Sequence, residues 1–206
     1  MGKGAAWLAV LLACPIPALA LAQAPASQTA KAFVAGLIAQ AKADGVFVDV
    51  STGAEPQARH LASGLVCSFI NGRPGSIKLL PARAPADNVG CTMARGSGIL
   101  ALQVQRIPAA VDADKFMVDM VEVVHTDFPD AAPITPPAAD AAPLKAAHFK
   151  AVFQGRPVYV GVSAVRVGPW MVSGHMVAPL NDAGASDRIA EAEVAAAAAQ
   201  VRQAGR

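Results

Sequence analysis

The sequence predicts an α+β fold: an antiparallel sheet with helices packed on one face, and one disulfide. Apolar residues change period along the chain, from helical spacing at Phe33, Val34, Leu37, Ile38 and Ala41 to strand alternation from Val158 to Val167. The C-terminal half carries three β runs in meander order, separated by Gly155-Arg156-Pro157 and Gly168-Pro169. Cys67 and Cys91 are an even pair once an export leader is removed.

That leader comes first in the chain. Lys3 is a sparse positive start, Trp7 to Leu12 an apolar centre, and Ala20-Leu21-Ala22 a small-x-small cleavage site. Residues 1–22 therefore read as a secretory signal cut between Ala22 and Gln23. A cut after Ala24 would place Pro25 just beyond the bond, where its rigid ring fits peptidases poorly. Leu11-Leu12-Ala13-Cys14 also has the form of a lipobox, and an acylated Cys14 would tether the protein to a membrane. The short apolar stretch before Cys14 and Pro15 directly after it favour the Ala22 site. Later apolar runs fall short of the roughly 18 residues a spanning helix needs. The expectation is a periplasmic or secreted protein with no transmembrane anchor in its mature form. In that oxidising compartment Cys67 and Cys91 pair as a structural disulfide, since no Cys-x-x-Cys spacing points to redox work.

The remaining residues, 23–206, read as one α+β domain. Residues 23–28 form a disordered lead, and helix one follows to Asp44-Gly45. A strand runs through Val46, Val48 and Val50, then short strands over Leu65–Ile70 and Ile77–Leu80 are joined by Ser63-Gly64 and Asn71-Gly72 turns. Asp87-Asn88-Val89-Gly90 reads as a turn before Cys91. Ile99 to Arg106 alternates as a long half-buried strand. Asp112 caps a second helix with an apolar stripe of Phe116, Met117, Met120, Val121 and Val124, which Pro129 stops. Residues 129–143, rich in Pro and Ala, read as a surface loop. After the three-strand meander, Ser186 or Asp187 caps an Ala-rich helix from about Arg188 to Gln203, which packs through its alanines or lies at the sheet edge.

Composition narrows the function. The 47 alanines among 206 residues raise mean hydropathy to +0.40 without implying a membrane protein. A net charge of +2 with no basic cluster argues against nucleic acid as a partner. His60, His125, His148 and His175 lie far apart, and no pair has the spacing that preassembles a metal site. His175-Met176, with Met171 nearby, raises a copper-handling alternative, but strand alternation points His175 and Met176 apart. An envelope hydrolase would draw on His60, three residues before Ser63, or on His175. Gly161-Val-Ser163-Ala-Val165 lacks the second glycine of a nucleophile elbow, and no glycine-rich phosphate loop follows a strand. No catalytic residue, metal ligand or cofactor is predicted.

Arg59-His60-Leu-Ala-Ser63-Gly64-Leu-Val-Cys67, Asp87-Asn88-Val89-Gly90-Cys91 and Gly168-Pro169-Trp170 resemble a two-cysteine pattern of small, uncharacterised exported proteins of Gram-negative bacteria. The resemblance covers about half the chain and implies a secreted α+β domain without an assigned active site. The element order is also similar to PsbP-like domains, an analogy of fold that names no activity. The reading is an exported envelope protein, a non-catalytic domain that binds an envelope partner or small ligand or serves a structural role.

Overall fold

The computed structural model describes residues 26–135 and 144–206. The signal segment, the Ala22–Gln23 cleavage site, Cys14 and residues 136–143 of the Pro/Ala-rich loop lie outside the described residues.

Helix α1 spans Ala26–Gln40 and buries Val34, Leu37 and Ile38, the residues whose spacing announced it. It begins earlier than predicted, so residues 26–28 of the expected disordered lead belong to the helix. Strands β1 (Phe47–Asp49), β2 (Gln57–His60) and β3 (Val66–Ser68) pair antiparallel in a small sheet of order β1-β2-β3. β2 was not foreseen, because Gln57-Ala58-Arg59-His60 has no apolar alternation; only Ala58 and His60 point inward.

Seven strands make the larger sheet: β4 (Gly75–Leu79), β5 (Asn88–Arg95), β6 (Gly98–Arg106), β7 (Ala132–Pro133), β8 (Lys145–Phe153), β9 (Arg156–Val167) and β10 (Trp170–Pro179). Their spatial order is β4-β5-β6-β10-β9-β8-β7, and every pairing is antiparallel. The expected turn before Cys91 is instead the start of β5, with only Pro85–Asp87 forming a 3-10 turn. Gly90 accounts for the difference: it faces Gln103 across the ladder, where a Cβ would stand 2.8 Å from the Leu102 carbonyl oxygen. A glycine inside a strand here marks close backbone approach, not a bend. The Pro/Ala-rich segment likewise contributes β7, a two-residue edge strand on β8.

Helix α2 (Ala113–Asp127) starts at Asp112, whose side chain accepts the Lys115 N–H at 2.9 Å. Helix α3 (Ala183–Ala204) is longer than predicted, and it buries Ala190, Val194, Ala197, Ala198 and Val201. It packs on β9 and β10 through small residues, which let helix and sheet approach closely.

The α+β class, the antiparallel sheet and the disulfide are as expected, but the helices occupy both faces of the large sheet. On one side α1, the small sheet and α3 bury Leu100, Leu102, Val104, Val165, Val172 and Met176. On the other, α2 covers Val158, Val160, Val162, Ala164 and Met171. The reason lies in β9, which is buried continuously from Val158 to Val165. A strand covered on both sides must be apolar on both, so a one-sided alternation is the wrong frame for it. Cys67 on β3 bonds to Cys91 on β5, joining the small sheet to the large one across a separation of 24 residues. Arg95 reinforces that junction. It donates to the Ser68 carbonyl at 2.7 Å and pairs with Glu193 of α3.

Candidate functional site

Because α2 lies over β8 and β9, the neighbouring part of the same face, along β6 and β10, is left as a groove of about 450 Å³. Strand alternation decides its floor. Ala101, Gln103 and Gln105 of β6 and Ser173 and His175 of β10 share the side opposite the Leu100–Val104 core. Phe116, Met120 and Val123 of α2, with Ile107 and Val111 of the loop before it, make an apolar wall. A mostly apolar cleft with a few convergent polar groups is the ordinary form of a small-molecule site.

His175 is the distinctive group in this groove. Its Nε2 is buried with no hydrogen-bond partner. Burial holds the imidazole below its ordinary pKa, against the opposing charge of Asp127, so the ring is neutral at pH 7. The Phe128 ring meets it edge-on with centroids 6.5 Å apart. An unpaired buried polar atom costs about 1–3 kcal/mol. His175 Nε2 bonds neither Ser173 nor Asp119. Met176 lies in the core on the other face, as alternation requires, and Met171 is buried in the core beneath α2.

His60 occupies a different setting. It is fully buried between Phe47 and Trp170, and its Nδ1 lies 2.7 Å from Ser63 Oγ. The same Oγ accepts the Leu65 N–H at 3.2 Å, so the hydroxyl ties together the turn joining β2 to β3. Burial lowers the His60 pKa to about 4, although the Ala86 backbone and the Asp87 charge oppose the shift. A hollow of about 390 Å³ reaches Ser63 between Trp170 and the end of α3.

A third constellation was missed by sequence reasoning. Tyr159 donates to Asp187 Oδ1 at 2.6 Å, and His148 Nδ1 lies 2.9 Å from the phenol oxygen and 3.2 Å from the same carboxylate oxygen. Burial pushes the Asp187 carboxyl up, but hydrogen bonds with His148 and Tyr159 and the charges of His148 and Arg188 outweigh it and hold the pKa below the ordinary value. Asp187 looked like a helix cap; it sits instead inside α3, 4% exposed, facing the sheet. The available signal was its helical spacing: Asp187 precedes Ala190 and Val194 on the buried stripe.

No protein-family model and no curated protein matches the chain. Among solved structures it is similar to LpqN, a protein involved in cell envelope biogenesis of Mycobacterium tuberculosis, with 12% identity and a TM-score of 0.32 over 59% of this chain and 83% of that one.

Proposed function

We propose that this is an exported protein of the cell envelope that binds a small, mostly apolar ligand in the groove beside α2. The observation that carries the binding role is a mostly apolar groove of about 450 Å³ with His175 in its lining. Such a ligand would bury its hydrocarbon part against Phe116, Met120 and Val123 and present one polar group to the imidazole. Export is supported by the leader pattern ending at Ala22 and by the Cys67–Cys91 bond, which suits an oxidising compartment. No helix among the described residues is long and apolar enough to cross a membrane.

The test uses the fluorescent probe N-phenyl-1-naphthylamine with the purified protein. Saturable binding is expected, lost when Ala101→Phe fills the groove floor and weakened by about tenfold in His175→Leu, which removes the polar contact. Absence of saturable binding by the folded protein, or equal binding by both variants, contradicts the reading.

One contact favours a hydrolase as the second reading: His60 and Ser63 are within hydrogen-bond distance and Ser63 borders a hollow. In that case the protein would cleave p-nitrophenyl esters and Ser63→Ala would abolish the activity. If activity is absent, or survives in Ser63→Ala, the pair serves only to hold the turn.

A further inference from the structure

We propose that His148, Asp187 and Glu191 form a binding site for one divalent transition-metal cation, of which zinc is the best fit, between α3 and strands β8 and β9. The site lies on the opposite face of the sheet from the groove and is independent of the ligand reading.

The placement follows from two periodicities. Asp187 and Glu191 stand four residues apart on α3, so both carboxylates fall on the helix face that meets the sheet. His148 on β8 faces them from the sheet, and one donor atom from each of the three residues lies within 4.8 Å of the others. Zinc holds nitrogen and oxygen ligands at about 2.0–2.2 Å, which places tetrahedral donor atoms about 3.4 Å apart. Binding would therefore draw the donor atoms closer by up to about 1.4 Å. An imidazole with two carboxylates is a donor set that suits zinc, and the cluster contains no cysteine thiolate.

The fourth group, Tyr159, shows that the surroundings hold the cluster in place. Its hydroxyl contacts both His148 and Asp187 because the ring lies back over Gly161. A Cβ at Gly161 would stand 2.8 Å from the Tyr159 Cζ and would displace the ring. Gly161 is also the residue directly opposite His148 in the β8–β9 ladder. The glycine thus leaves the space in which phenol, imidazole and carboxylate converge. His148 and Asp187 are 7% and 4% exposed, so their donor atoms already sit largely out of water. Without metal, the His148–Tyr159–Asp187 hydrogen bonds keep these donors aligned. Binding at His148 Nδ1 would require that nitrogen to lose its proton, which moves to Nε2 or to solvent, and would leave the Tyr159 hydroxyl to orient Asp187 from outside.

The protein should be stripped with a chelator and titrated with zinc chloride by calorimetry, and cobalt(II) absorption should be recorded in parallel. One zinc ion per chain is expected with a dissociation constant below about 10 μM, together with visible cobalt bands of a low-coordinate site. Since Tyr159 is the chain's one tyrosine, a tyrosine difference band near 290 nm should rise with the same midpoint. Glu191→Gln should weaken binding at least tenfold and His148→Ala should abolish it. Glu191→Gln changes little in shape, so it decides the matter if His148→Ala fails to fold. No binding by the folded protein at millimolar zinc, or zinc binding unaltered in Glu191→Gln, overturns the proposal.

Discussion

His60 shows how a buried titratable side chain couples stability to pH. Its imidazole is uncharged in the native state because burial lowers its pKa to about 4, while in the unfolded chain it titrates near 6.5. Unfolding therefore takes up a proton between these values, and stability present above pH 6.5 is lost as pH falls toward 4. A shift of this size corresponds to about 3 kcal/mol. His175 acts in the same direction. The expected outcome is a urea midpoint that falls from pH 7 to pH 4, with a shallower slope in His60→Gln; an equally steep slope in that variant would remove His60 from the account. Asp187 contributes only at lower pH. Its folded pKa is depressed, so its contribution is complete above the ordinary carboxylate range and fades below about pH 4. Tyr159→Phe should cost about 1–3 kcal/mol by urea unfolding, because it leaves the buried Asp187 carboxylate short of a donor. Native Tyr159 should also resist ionisation, since burial, and then Asp187, raise its pKa well above 10. Ultraviolet titration should show tyrosinate forming only as the protein unfolds.

Periodic elements were legible at the scale of helices and strands, and those that depend on neighbours were not. The stripe of α2 and its Asp112 cap could be seen because both signals are local; Asp112→Ala should lower stability by about 1 kcal/mol in thermal or urea unfolding. β6 alternates cleanly because one of its sides is buried and the other borders the groove. β2 was hidden, since a strand of four residues held between β1 and β3 needs no apolar pattern of its own. Gly90 and Asp187 misled in the same way: glycine reads as a turn and aspartate before a helix reads as a cap, yet each is set by a tertiary contact. The groove could not be foreseen, because it arises from α2 covering β8 and β9 and leaving β6 bare, an arrangement that no local pattern encodes. The disulfide was legible from number alone. Its removal in Cys67→Ala/Cys91→Ala should cost about 3–4 kcal/mol in the chain-entropy account, measured by urea unfolding of oxidised wild type against the double variant.

Taken as a whole, the molecule is a wide antiparallel sheet with two differently used faces. One face is sealed by α1, α3 and the disulfide-tied small sheet, and encloses the polar cluster around Tyr159. The other is only partly roofed by α2, which leaves a mostly apolar cleft with His175 in its lining. We propose that this body works outside the cytoplasm, held by the Cys67–Cys91 bond that forms there. Intact-mass and N-terminal analysis of the native product tests it most directly. The expected product begins at Gln23 and carries Cys67 and Cys91 oxidised to each other. A native protein that retains Met1 and holds both cysteines as free thiols would contradict the account.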